Sequence, residues 1–177
     1  MGTGNCKYCR KHSTDISQYD RYPDNTLIRN KKWEAIGICL DCELQIPSTK
    51  KELLEAATIL KESMHMSIVV RELLQILPDD GAFNLKDVYT VIKDKTAEVL
   101  KKHNYPISDN NYESLEDRVG YIIVAAARMK QEDTPKGRKQ AAKSIFLRGQ
   151  IDMIQSRLMS GDLSRLEKEF GKSYNNV

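Results

Sequence analysis

Four cysteines are the residues best suited to specific chemistry, and they form two pairs of identical spacing. Cys6 and Cys9 make the first Cys-x-x-Cys pair, Cys39 and Cys42 make the second, and the 177 residues contain no other cysteine. A two-residue spacer directs two thiolates toward one ion, and zinc takes four such ligands in a tetrahedron. The pattern therefore predicts a zinc ion bound by Cys6, Cys9, Cys39 and Cys42.

Disulfides and an iron–sulfur cluster are the alternatives for four cysteines, and the paired spacing favours zinc over both. A catalytic zinc keeps one coordination position open for water, whereas four thiolates leave none, so we expect a structural ion. The first twenty residues are polar and do not form a signal peptide. Reduced thiols without an export signal indicate a cytoplasmic protein or an equivalent reducing compartment.

The first 45 residues resemble the broad zinc-ribbon and treble-clef superfamily, through the two pairs and the stretch Gly37-Ile-Cys-Leu-Asp-Cys-Glu43. The resemblance implies a small zinc-stabilised scaffold of a kind found in transcription factors, ribosomal proteins, antitoxin-type regulators and replication proteins. It does not imply one particular function. No resemblance is found for residues 48–177.

The topology of the module is left open between the two types. Zinc ribbons usually place glycine directly after the second cysteine of a pair, where φ is positive, but Arg10 and Glu43 occupy those positions. Asp41 and Glu43 suit the first turn of a helix, as in a treble clef. Pro47, however, would end such a helix after few residues.

We predict a mainly α protein with two parts. Residues 1–47 form the zinc-binding module, with a short β-hairpin from Thr26–Arg29 and Trp33–Ile38, and residues 48–177 form a helical domain. Apolar residues at helical spacing predict a bundle of five or six helices in that domain. No apolar run approaches the roughly 18–20 residues of a membrane span, so no membrane partner is expected.

Helix starts are the clearest local signals in the second part. Thr49 and Glu52 have capping-box spacing, and Asn84 with Asp87 indicates another N-terminus. Ser114 is predicted to cap the central helix, and Pro135 stands where a first helical residue is favoured. One long helix is then expected to continue to Gly161, followed by a short helix that ends at Gly171.

Positive charge is concentrated near the C-terminus, although the net charge of the chain is only +3. Residues 136–148 contain five cations and no acidic residue, and most of them lie at a predicted helix N-terminus, where the helix dipole disfavours cations. A nucleic-acid phosphate backbone would offset this repulsion. The candidate nucleic-acid-binding residues are Lys136, Arg138, Lys139, Lys143 and Arg148, with Lys31 and Lys32 in the zinc module.

Motifs for catalysis are weak in this chain. The His-x-Glu and Pro-Cys-x-x-Cys pattern of zinc deaminases does not occur, and Gly171-Lys-Ser lacks the glycine that a phosphate-binding loop requires five residues earlier. We therefore expect a non-enzymatic, zinc-stabilised regulatory or accessory factor that contacts nucleic acid through its basic patches. The alternative is a protein-binding adaptor or inhibitor whose zinc module orients a helical interaction surface. The sequence does not indicate an oligomeric state.

Overall fold

The computed structural model describes residues 2–16 and 38–160. Two short strands, β1 (Gly2–Asn5) and β2 (His12–Ile16), pair antiparallel with Asn5 opposite His12. They flank the first cysteine pair, so they differ from the hairpin predicted from the sequence. Residues 26–37 of that predicted hairpin lie outside the described residues, as do Lys31 and Lys32.

Eight α-helices occur in the described part of the chain, and seven of them follow position 48, compared with the five or six predicted. The mainly α class is therefore confirmed, and the helix count is higher than predicted. The helices are α1 (Leu40–Gln45), α2 (Lys50–Leu60), α3 (Ser67–Gln75), α4 (Leu85–Ile92), α5 (Thr96–Lys102), α6 (Asp109–Met129), α7 (Pro135–Lys143) and α8 (Gln150–Leu158).

Three of the predicted helix starts are confirmed by their hydrogen bonds. The Thr49 hydroxyl accepts from the Glu52 amide at 3.2 Å, and the Glu52 carboxylate accepts from the Thr49 amide at 2.8 Å. Asn84 and Asp87 form the same reciprocal pair. The Thr134 hydroxyl accepts from the Gly137 amide at 3.0 Å, with Pro135 as the first residue of α7. These side chains satisfy backbone groups that a helix end leaves unpaired.

The prediction that Ser114 caps the central helix is wrong, because α6 begins five residues before it, at Asp109. The actual cap is Ser108, whose hydroxyl accepts from the Asn111 amide at 3.3 Å. Tyr112 and Leu115 are buried three residues apart, so the apolar face of the helix already exists in this first turn. The residues of this first turn, Asp109, Asn110 and Asn111, are polar and by sequence alone favour a loop.

The predicted long helix from residue 135 to residue 158 is interrupted. A 3-10 turn, Ser144–Phe146, follows α7, and Gly149 then adopts φ +80° as the N-cap of α8. This left-handed conformation is readily accessible to glycine and strained for other residues. Helices α2 and α3 are separated by the 3-10 turn Lys61–Ser63 and by Met66 at φ 61°. The helix predicted before Gly171 lies outside the described residues.

Helix α6 is the centre of the hydrophobic core. Every residue from 119 to 129 is buried, so the helix is enclosed on all sides in this half. At Gly120 the neighbouring α8 comes so close that a Cβ would lie 2.7 Å from Leu158 Cδ1. In residues 38–160, neither α6 nor any other helix combines the length and apolar content needed to cross a bilayer.

Helix α1 is attached directly to this core. Leu40 and Leu44 are buried in the same cluster as the residues of α2, α3 and α6. The helix ends at Gln45, close to Pro47, as the sequence predicted for a helix at this position. The cysteines that α1 carries are therefore held against the helical body. The proposed boundary at residue 47 stays a prediction.

Candidate metal centre and basic surface

The four cysteines come together at the junction between the N-terminal segment and α6. Their sulfur atoms all lie within 4.8 Å of one another, and no disulfide joins them. Cys6 and Cys39 are buried, and they pack with Ile38, Ile46 and Ala127 of α6. The four residues predicted as metal ligands thus form one cluster, called the cysteine cluster below.

The first pair is held by a tight loop, Cys6–Lys11, called the knuckle loop below. The Cys6 amide donates to the Lys11 carbonyl at 2.9 Å, and the Arg10 amide donates to the Cys6 carbonyl at 2.8 Å. Arg10 has φ 59°, a left-handed conformation that glycine adopts most readily. The chain therefore turns with positive φ directly after the second cysteine although the residue there is an arginine, which the sequence did not predict.

The second pair lies at the start of α1. Cys39 is the N-cap residue and Cys42 is in the first turn, so both sulfur atoms face the first pair. The Cys39 amide also donates to Cys6 Sγ at 3.4 Å, which joins the two pairs through a backbone group. Amide hydrogen bonds of this type stabilise a thiolate.

The acidities of the metal-free thiols differ within the cluster. Burial disfavours the Cys6 thiolate, but backbone hydrogen bonds from Cys39, Cys9 and Tyr8 outweigh it and lower the Cys6 pKa to about 6. Burial raises the pKa of Cys39 to about 11; hydrogen bonds with Cys42 oppose the increase, and those with the Cys6 and Cys9 side chains add to it. Burial and the same neighbours also raise the pKa of Cys42. Four sulfurs at this distance repel one another as anions, so a cation is needed to hold them all as thiolates.

The donor set and its dimensions fit a metal ion. A tetrahedron with metal–sulfur bonds of about 2.3 Å has sulfur–sulfur edges of about 3.8 Å. The distance between Cys9 Sγ and Cys39 Sγ is 3.8 Å, well beyond a disulfide bond. The cysteine cluster could therefore hold one metal ion without a large rearrangement.

A buried ion pair next to the cysteine cluster was not predicted from the sequence. Glu43 follows Cys42 directly, and its carboxylate accepts from Arg128 Nε at 3.0 Å and from Arg128 Nη2 at 3.2 Å. Glu43 and Arg128 are only 1% and 2% exposed. Ser144 Oγ and Gln150 Oε1 accept the remaining Arg128 bonds, at 2.9 and 3.0 Å. In the sequence, this buried pair could have been inferred from Arg128, because it is the one charged residue in the apolar stretch 119–129 of α6.

This ion pair connects the cysteine cluster to three parts of the helical body. Glu43 belongs to α1, Arg128 to the end of α6, and Ser144 and Gln150 to the segments that follow α7. Lys130 makes further contacts at the same junction. Its Nζ donates a hydrogen bond to the Pro47 carbonyl and forms an ion pair with Glu52 at 3.2 Å. The cysteine cluster and the helical body are thus joined by charged as well as apolar contacts.

The predicted basic residues of α7 lie on two different faces. Lys136, Lys139 and Lys143 are exposed and follow one another at three- and four-residue spacing, which places them on one face of the helix. We call these three residues the lysine row. Arg138 points instead to α2, where Nη2 and Nε bond Glu55 at 2.9 and 3.2 Å. Arg148 is exposed in the turn before α8.

Comparisons with models of protein families, with curated proteins and with solved structures find no match to this chain. The fold and the site therefore define a class in physical terms alone: a mainly helical protein with a four-cysteine cluster that could hold a metal ion.

Proposed function

We propose that this protein is a zinc-stabilised, non-enzymatic accessory factor that binds the phosphate backbone of nucleic acid. In this proposal the ion is zinc and its role is structural, since four thiolates leave no position for a substrate. The placement of the second pair at the start of α1 favours the treble-clef type over the zinc ribbon. A regulatory role and a cytoplasmic location belong to the same proposal.

The lysine row is the observation that carries the proposal. Within residues 2–16 and 38–160, none of its three lysines takes part in an ion pair, whereas Arg138 on the other face of α7 is neutralised by Glu55. The first turn of α7 has no acidic residue. The three unneutralised cations repel one another, and Lys136 in the first turn also lies at the positive end of the helix dipole, whereas Lys143 lies at the favourable C-terminal end. Phosphates placed along this face would relieve both repulsions and release counterions.

The knuckle loop supplies a second basic surface of the same kind. Lys7, Arg10 and Lys11 are all exposed, and Tyr8 between them is 51% exposed. Arg10 adopts its positive φ at a cost of the order of 1 kcal/mol relative to glycine, which suggests that its charge is useful. An exposed tyrosine among cations suits stacking on an unpaired base.

A salt titration of nucleic-acid binding tests the proposal. We expect binding to duplex or single-stranded DNA or RNA at about 50 mM salt, with affinity falling steeply toward about 200 mM. Replacing the three lysines of the row by alanine removes three phosphate contacts. The slope of log K against log salt should then decrease by about two to three units, as measured by fluorescence anisotropy.

The matched control replaces three exposed lysines on other helices, Lys51 of α2, Lys86 of α4 and Lys101 of α5. This variant has the same net charge, and its slope should stay close to that of the original chain. If the two variants lose the same slope, the binding is non-specific attraction to the whole molecule. If no nucleic acid binds at low salt, the proposal fails and the adaptor alternative becomes the better hypothesis.

A further inference from the structure

An open groove of about 490 Å³ lies beside α3, and none of its lining residues belongs to the lysine row or the knuckle loop. Its walls come from the 3-10 turn after α2, from the outer face of α3 and from the end of α5. The lining residues used below are Lys61, Glu62, Ile68, Arg71, Glu72 and His103. We call it the α3 groove.

One of the two acidic residues in the α3 groove is already neutralised. Glu72 Oε1 accepts from Lys102 Nζ at 2.7 Å, and Glu72 Oε2 contacts His103 Nε2 at 2.5 Å. The hydrogen bonds from Lys102 and His103 also hold the pKa of Glu72 below its ordinary value. Glu72 therefore has both oxygens occupied and presents little free negative charge to a ligand.

Arg71 provides the free charge of the α3 groove. Its Nε is shielded from solvent, and no hydrogen-bond partner for this atom is found in the part of the chain that the structure describes. A guanidinium nitrogen that water does not reach and that no acceptor meets is energetically unfavourable. The lining has two cations, Lys61 and Arg71, and two carboxylates, Glu62 and Glu72. Because Lys102, just outside the lining, pairs with Glu72, the groove and its rim have an excess of about one positive charge.

Apolar surface lies next to this charge on the same helix face. Ile68 is 56% exposed and lies three residues before Arg71, so their Cβ atoms are about 5–6 Å apart. Ile76 is 39% exposed two turns further along α3. The core-facing side of α3 is formed by other apolar residues, Val69, Val70, Leu73 and Leu74, which are buried. The two isoleucines therefore expose apolar surface that does not contribute to the core.

We propose that the α3 groove docks an acidic peptide segment of a partner protein, with an aspartate or glutamate carboxylate on Arg71 and an aliphatic side chain on Ile68. A carboxylate would give the partly exposed Arg71 side chain the ion-pair partner that it lacks within the described residues, through the terminal guanidinium nitrogens and in a paired geometry that lysine cannot provide. The aliphatic group would cover the exposed isoleucine and shield that ion pair from water.

A peptide fits this groove better than a small molecule does. Small-molecule sites enclose most of the ligand surface, whereas the α3 groove is open, and Ile76, outside its lining, is a second exposed isoleucine two turns beyond Ile68. A segment that lies along α3 would contact both. This surface is separate from the proposed nucleic-acid contacts, so either proposal holds without the other.

Selection from random peptides displayed on phage, against the full metal-loaded chain, tests the site. We expect the selected peptides to be rich in aspartate, glutamate and aliphatic residues. As synthetic peptides in solution, they should bind Arg71→Gln and Ile68→Asp at least about tenfold more weakly than the original chain, since each variant removes one of the two anchors.

Matched controls distinguish binding at the α3 groove from non-specific attraction of acidic peptides to the rest of the protein surface. Arg148→Gln removes an exposed arginine and Met159→Asp an exposed apolar residue, both near α8, and neither should change the affinity. Circular dichroism of each variant confirms that the helices are intact. The proposal is overturned if no acidic peptides are selected, or if those selected bind Arg71→Gln and Ile68→Asp as tightly as the original chain.

Discussion

The buried ion pair between Arg128 and Glu43 shows how individual residues determine which elements of this molecule pack together. Both charges are removed from water, and Arg128 has hydrogen bonds to three different side chains. A buried ion pair adds little stability compared with apolar residues, but one partner without the other is strongly unfavourable. Such a pair acts mainly to specify which surfaces meet, here α1 against the end of α6.

The substitution Arg128→Met tests this at the residue scale. It should lower the free energy of unfolding by about 3–5 kcal/mol, because the Glu43 carboxylate then stays buried without its partner. The double variant Arg128→Met with Glu43→Leu should regain much of the loss. Urea unfolding followed by circular dichroism measures both, with exposed Arg148→Met as the control. Additive losses in the double variant would contradict the coupling.

At the scale of elements, reciprocal caps define where α2 and α4 begin. Thr49 with Glu52 and Asn84 with Asp87 each satisfy backbone groups at a helix start. Neither cap depends on distant residues, which is why both starts could be predicted from the sequence.

We predict that Thr49→Ala lowers the free energy of unfolding by about 1 kcal/mol, because the Glu52 amide loses its acceptor. Thr58→Ala in the same helix is the control. The Thr58 hydroxyl bonds the Leu54 carbonyl at 2.8 Å within the helix and caps no free group, so alanine there should be neutral or slightly stabilising. Equal losses in the two variants, measured by urea unfolding, would argue against the cap.

Two kinds of feature were not predicted from the sequence. One is a contact between residues far apart in the chain, and the other is an element whose local residues favour a different structure. Glu43 and Arg128 are 85 positions apart, so no local pattern connects them. The α6 start was misplaced because the polar residues of its first turn favour a loop, while the burial of Tyr112 favours the helix. The four cysteines were predictable as a cluster because metal ligands require fixed residue types at fixed spacing.

At the scale of the whole molecule, the cysteine cluster and the helical body belong to one packed unit. Leu40 and Leu44 of α1 lie in the main core, and the Glu43 side chain is bonded inside it. If the metal is lost and α1 detaches, Arg128 loses its carboxylate partner and the core loses two leucines. Metal removal should therefore weaken the helices as well as the N-terminal segment.

We predict one zinc per chain after purification, by elemental analysis, and a lower melting temperature of the helical signal after chelation. Each kcal/mol lost should lower Tm by about 2–4 °C in a chain of this size. Cys39→Ser should lose zinc and melt like the chelated protein, whereas Tyr8→Ser in the same knuckle loop should keep it. Protein purified without metal, or a Tm that chelation does not change, would contradict the prediction.

The long separation between Glu43 and Arg128 also has a consequence during synthesis. Both cysteine pairs leave the ribosome before α6 does. Arg128 is synthesised 85 residues after Glu43, which takes roughly 4–17 s at about 5–20 residues per second. During that interval Glu43 lacks its buried partner and Leu44 has no α6 to cover it, so the nascent chain exposes an apolar segment beside the cysteine pairs.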